Sequence, residues 1–134
     1  MKATVLLLYM FFLVCSNVQA AEQKELGALS PQQAAQYIKQ HPDVIIVDVA
    51  SIENYERKHF PGAVNIPIEN ISSKEAEKMY KKLPAGKPVI MHCRLGMIVP
   101  GAYRNRRRLR PDIPEISYID GRPPFDNINP RKEH

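Results

Sequence analysis

The sequence predicts an α/β fold built on a mostly parallel sheet. Three observations carry this. Helical patterns and strand patterns alternate along the chain, which is the arrangement that covers a parallel sheet with helices. The run Val44-Ile45-Ile46-Val47-Asp48-Val49 is continuously β-branched around one acid, and Val89-Ile90-Met91-His92 is a second short apolar run; such runs suit strands buried on both faces. Between these elements lie Pro and Gly punctuation and no internal repeat or low-complexity segment.

The elements follow in order. Met1–Ala20 has Lys2, an eleven-residue apolar run from Val5 to Cys15, and small residues at Val18-Gln19-Ala20. This is the layout of a secretory signal peptide. The run is shorter than the roughly 20 residues that a spanning helix needs. Residues 1–20 are therefore expected to be a signal peptide, and residues 21–134 a single domain with its core at about 29–121. No membrane span is expected after cleavage. Ser30-Pro31-Gln32-Gln33 is a capping box with proline at the first helical position, predicting a helix to about Gln40. Val44–Val49 is the first strand. Ser51 to about Lys58 reads as a short helix ended by Pro61-Gly62, and Ala63–Ile66 as a short strand. Ser72 and Glu75 form a second capping box, opening a helix that ends near Leu83. Val89–His92 is a strand, Pro100 the predicted start of the next helix, and Glu115–Ile119 the last strand. The tail from Gly121 reads as irregular.

Composition narrows function less than the cysteine count does. The chain carries a net charge of +5, a mild bias toward anionic partners. The densest charge run is Arg104, Arg106, Arg107, Arg108 and Arg110. It lacks a neighbouring aromatic stacking platform, so nucleic acid is not an expected partner, and a solvated helix face is the plainer reading. Of the two cysteines, Cys15 leaves with the signal. Cys93 is then alone in an oxidising compartment, where it has no internal disulfide partner. It stands at the carboxyl end of a predicted strand, which is where ligands bind in open α/β sheets.

The residues after it carry the chemistry. In His92-Cys93-Arg94-Leu95-Gly96-Met97-Ile98, a short loop ahead of a helix presents successive backbone N–H groups, a concavity that favours anions. A sulfur at its centre is favoured as thiolate. Gly96 permits a backbone angle that other residues resist, and Arg94 supplies a permanent cation with paired donors, for a substrate oxyanion or else for a nearby acid on the surface. Leu95, Met97 and Ile98 are expected chiefly to supply N–H groups, with side chains that make the pocket mouth apolar. His92 has no His, Cys or Asp at ligand spacing, so no metal is expected there. His59 reads as structural, and Asp48 as a buried carboxylate that bonds to backbone or loop groups.

Asp48-Val49, Asn54-Tyr55, His59-Phe60-Pro61-Gly62-Ala63-Val64-Asn65-Ile66-Pro67 and Cys93-Arg94-Leu95-Gly96-Met97 together resemble a rhodanese-like domain, over about Leu29 to Gly121. The small single-domain periplasmic members are the nearest in kind. The resemblance implies a largely parallel sheet of about five strands with helices on both faces. It implies a sulfurtransferase in which Cys93 is catalytic and Arg94, Leu95, Gly96, Met97 and Ile98 bind substrate. The partners implied are a small sulfur-donor anion, such as thiosulfate or a persulfide or polysulfide, and a thiol or cyanide acceptor, a protein acceptor included. Neither a metal nor an organic cofactor is implied, and the expected location is periplasmic or otherwise secreted. Members active on thiosulfate often carry a base at the sixth loop position, where this chain has Ile98. The residue after Asp48-Val49, often Arg, is Ala50. These departures leave a second reading, a rhodanese-like binding or regulatory module without turnover. Cysteine phosphatases also open their loop with His-Cys, but need an Arg six positions on to clamp phosphate; Val99 stands there.

Overall fold

A computed structural model describes residues 22–128; the expected signal peptide, residues 1–20, lies outside the described residues. Five strands, β1 (Lys24–Leu29), β2 (Ile45–Asp48), β3 (Val64–Asn65), β4 (Val89–His92) and β5 (Glu115–Ile119), form one sheet in the order β1-β5-β4-β2-β3. Every strand pair is parallel. Four helices connect them: α1 (Pro31–Gln40), α2 (Ile52–Arg57), α3 (Ser73–Lys81) and α4 (Val99–Arg106). No described helix is long and apolar enough to cross a membrane.

The helices begin where their caps dictate. Ser30 and Ser72 each accept the backbone N–H of the third helical residue, and Gln33 and Glu75 reach back to the cap N–H, so both capping boxes are closed. Ser51 caps α2 through its hydroxyl and Asn54 N–H. Each such cap contributes about 1 kcal/mol. α4 differs: Ile98 at its cap makes no side-chain hydrogen bond, and the helix begins at Val99, one residue before the predicted Pro100.

The strands alternate between two cores. Val47, Val89, Met91 and Ile116 point to one face, where Ala76 and Tyr80 of α3 and Val99, Ala102 and Tyr103 of α4 cover them. Ile46, Ile90 and Ile119 point to the other, where Ala34, Tyr37 and Ile38 of α1 pack with Phe60 and Tyr55. Helices thus lie on both faces, as expected. Burying one such Val or Ile contributes about 1.5–3 kcal/mol, so β2 and β4, covered on both sides, are the stable frame of the site.

The sequence reading missed β1. Its six residues, Lys-Glu-Leu-Gly-Ala-Leu, are mostly exposed, so they carry no hydrophobic pattern. They pair with β5 through a register shift between Glu25 and Gly27, and the strand exists because the β5 edge offers unpaired N–H and C=O groups. Between Gly121 and Ile128 the described chain makes a 3-10 turn, Phe125–Asn127.

Candidate active site

The register of the central strands assembles the site. Asp48 pairs with His92 across β2 and β4, and with Asn65 across β2 and β3. The three stand in a row at the carboxyl edge of the sheet. Asn65 donates through Nδ2 to Asp48 O and Ala50 O, both at 2.9 Å, holding the turn out of β2. Asp48 is fully buried. Its Oδ1 accepts the N–H of Ala50 at 3.0 Å, and its Oδ2 lies 3.2 Å from Nη1 of Arg94. The expected role for Asp48, bonding to backbone and loop groups, is what its contacts show.

Arg94 takes the second of its two expected courses, pairing with an acid, but that acid is the buried Asp48 rather than a surface group, and the guanidinium turns into the protein. Besides Asp48, Nη2 donates to Asn54 O at 2.6 Å and to Lys58 O, the last carbonyls of α2, and the guanidinium carbon sits 5.1 Å from the centre of the Phe125 ring. A buried carboxylate and the negative end of a helix both attract a cation. Together they draw in a side chain that the loop alone would leave in solvent.

Cys93 leaves β4 at the head of the loop, and its residue is 2% exposed. Among the described residues no acceptor receives the backbone N–H of Arg94, Leu95, Gly96 or Met97, so these donors are available to an anion. Gly96 has φ of +77°, the left-handed region in which glycine carries no Cβ penalty. It is also fixed by proximity: a Cβ at Gly96 would lie 2.4 Å from Gly121 N. Gly121 is thus a shaping residue that the sequence reading treated only as a turn; its signal was the glycine itself. Leu95 and Met97 stand out, 53% and 79% exposed. Ile98 is less exposed, its side chain partly buried against the core at the cap of α4.

His92 is buried beside this loop. Its Nδ1 lies 3.0 Å from Cys93 O. A carbonyl only accepts, so Nδ1 carries the proton. Phe60 and Phe125 meet the ring edge-on, with centroids 5.1 and 5.8 Å away. Burial pushes the His92 pKa below 6.5, against the pull of Asp48, so the ring is neutral at pH 7. It orients the Cys93 carbonyl. Phe125, bridging Arg94 and His92, is a second residue that sequence reasoning did not place. His59 stacks on Tyr55 at 4.0 Å and bonds to its carbonyl at 2.8 Å, a structural role.

The arginine run dissolves into separate duties. Arg107 and Arg108 reach Glu25 on β1 at 3.6 and 3.3 Å, Arg110 binds Asp112, and Arg106 is buried. A continuous solvated basic face is not formed.

Cys93, the only cysteine among the described residues, stands at the carboxyl edge of a parallel sheet and heads a glycine-bent loop that runs into a helix, the layout of an α/β domain with its site at the strand ends. Comparison with known proteins makes the class specific. Residues 30–121 match the family model of the rhodanese-like domain, and the chain belongs to that family. A Synechococcus elongatus protein described as an uncharacterized 16.5 kDa protein in psaL 5'region is 28% identical over 67 residues, 50% of this chain and 45% of that one. The chain thus spans less than half the length of this curated relative. Among solved structures, the BH2092 protein of Bacillus halodurans is 23% identical with a TM-score of 0.51, covering 77% of this chain and 69% of that one. An uncharacterized protein from Saccharomyces cerevisiae is 22% identical with a TM-score of 0.51, covering 75% and 87%. These likenesses speak for the fold.

Proposed function

We propose that this protein is a sulfurtransferase that carries sulfur as a persulfide on Cys93. The observation that carries the reading is the placement of Cys93 at the head of a loop whose backbone N–H groups at Arg94 to Met97 have no acceptor among the described residues. In the first half-reaction the Cys93 thiolate attacks the outer sulfur of a donor. A new S–S bond forms, the donor's S–S bond breaks, and sulfite or a shortened polysulfide leaves with the electron pair. In the second, a thiolate or cyanide attacks the outer sulfur of the persulfide. The Cys93 thiolate departs, and a new persulfide or thiocyanate is released. This is covalent catalysis in two steps, and the residues carrying it need no cofactor. Free loop donors stabilise the anionic persulfide, as oriented N–H groups do elsewhere.

The donor follows from what surrounds the loop. Arg94 is committed to Asp48 and α2, and Ile98 at the sixth position is apolar and packed inward. A polysulfide, less dependent on a clamping cation than thiosulfate, is the donor that fits this loop. We place the reaction outside the cytoplasm, in a periplasm or another secretory compartment, with Met1–Ala20 removed on export; an isolated protein that retains Met1 would sink that placement.

The test is intact-mass measurement after incubation with polysulfide or thiosulfate, then with cyanide. One sulfur gained, lost again to cyanide and absent in Cys93→Ser, is the expected result, with polysulfide loading the faster. One observation favours a second reading, a binding module without turnover: the cysteine is nearly buried. No sulfur gained from either donor would select that reading.

A further inference from the structure

A groove of about 290 Å³ runs between α3 and α4 and shares only Ile98 with the Cys93 loop. One stripe of α4, Ile98, Ala102 and Arg106, lines it at four-residue spacing, the repeat that puts side chains on one helix face. Ser73, the first residue of α3, and Asn105 add polar groups, while Ile68 and Ala76 add apolar wall.

Arg106 is the anomaly. It is only 6% exposed, and its Nε is buried without a hydrogen-bond partner. Among the described residues its side chain makes one hydrogen bond, from Nη1 to Ala102 O at 3.4 Å, one turn back in its own helix. The other arginines with little exposure have carboxylates within 4.0 Å: Arg94 has Asp48, Arg107 has Glu25 and Arg110 has Asp112. Arg106 has none among the described residues. Glu77 acts on it from farther off and is itself bound to Lys81 at 2.7 Å. Burial accordingly pulls the Arg106 pKa down, as happens when a cation loses water without gaining a counterion. The guanidinium still keeps its proton at any working pH. A buried cation with an unpartnered Nε and no counterion among the described residues, in a groove that also takes in the first residue of a nine-residue helix, calls for an oxyanion.

We propose that the α3–α4 groove binds a small organic acid, its carboxylate on Arg106 between the Ser73 hydroxyl and the Asn105 amide, and its short aliphatic body along Ile68, Ile98 and Ala102. The apolar walls distinguish this ligand from an inorganic anion, and the groove needs no reaction at Cys93 to be occupied.

The experiment is a titration of the ¹⁵N-labelled full-length protein with butyrate, followed at the amides of Ser73, Ala76, Gly101 and Asn105. Butyramide tests the charge and inorganic sulfate tests the tail. The expected result is a saturable shift with butyrate and binding at least about fivefold weaker for either control. Two variants check the location. Arg106→Gln removes the cation. Gly101→Leu puts a side chain into the groove, at a place where an added Cβ meets nothing nearer than Arg104 Nη2 at 3.9 Å, and in a helix where Leu is favoured over Gly. Both are expected to weaken butyrate at least about tenfold. A flat butyrate titration, equal binding of butyramide or of sulfate, or undiminished binding by Gly101→Leu would each overturn the proposal.

Discussion

Two arginines close the carboxyl ends of two helices on opposite faces of the sheet, and they do so with different reach. Arg110 binds Asp112, two residues away, through two 2.7 Å hydrogen bonds, and donates to Tyr80 O, Lys81 O, Leu83 O and Pro84 O at the end of α3. Arg94 meets Asp48, far off in sequence and fully buried, and donates to Asn54 O and Lys58 O at the end of α2. The first takes a partly exposed carboxylate from two residues away and ties it to the end of α3. The second binds the Cys93 loop, β2 and α2 into one unit. A charge–helix contact therefore has no fixed worth: separation along the chain and depth decide whether it secures one helix end or the geometry of a site.

The largest expected effect breaks the buried member. Asp48→Ala leaves the Arg94 guanidinium without its carboxylate and Ala50 N–H without an acceptor. Chemical denaturation should show a loss of about 3 kcal/mol or more, the scale for a broken buried pair. Persulfide loading of Cys93 should slow with it, because the loop loses its anchor. A loss of only about 1–2 kcal/mol, the scale expected for the Arg110 clamp, would put the two pairs on the same footing.

Arg110→Ala should cost less, about 1–2 kcal/mol, the scale of hydrogen bonds from a charged group at a helix end. Its effect should be confined to α3, read as faster amide exchange near Lys81 and Leu83, with Cys93 loading unchanged. Slowed loading would show that the far face is coupled to the site after all.

Acid should separate the two regions by window. His92 has a folded pKa below 6.5, set by burial, so the unfolded chain binds its proton more readily. Its contribution is complete above pH 6.5 and is lost as pH falls below that. His92→Phe, which keeps the aromatic contacts, should flatten the stability slope just below pH 6.5. A slope that stays the same would assign the proton uptake elsewhere.

The smallest effect belongs to Asp112. The Arg110 hydrogen bonds, with the Gly86 N–H, lower its pKa from 3.8 to about 2. Its contribution is present above pH 3.8 and fades as pH drops toward 2. The stability gap between the parent and Asp112→Asn should therefore close over that interval, and a gap that persists at pH 2 would mean that the carboxylate's charge is not what stabilises the clamp. The side chain is 39% exposed, so solvent screening keeps the gap small.

Local chemistry was the legible part of this chain. The serine caps at Ser30, Ser51 and Ser72 set helix starts through bonds three residues long. The β-branched run at β2 and the apolar run at β4 declared strands buried on both faces. Gly96 announced a left-handed turn, and the position of Cys93 after β4 announced a site. Tertiary structure alone decided the rest, because it depends on groups remote in sequence. β1 forms only because β5 leaves an edge to pair with. Arg94 turns inward only because the sheet register brings Asp48 beside the loop while α2 ends nearby. The arginine run reads as one basic face until the fold sends Arg107 and Arg108 to Glu25, Arg110 to Asp112, and Arg106 into a groove. A charge's partner is set by three-dimensional distance and by the water it loses, and neither is written in the order of residues.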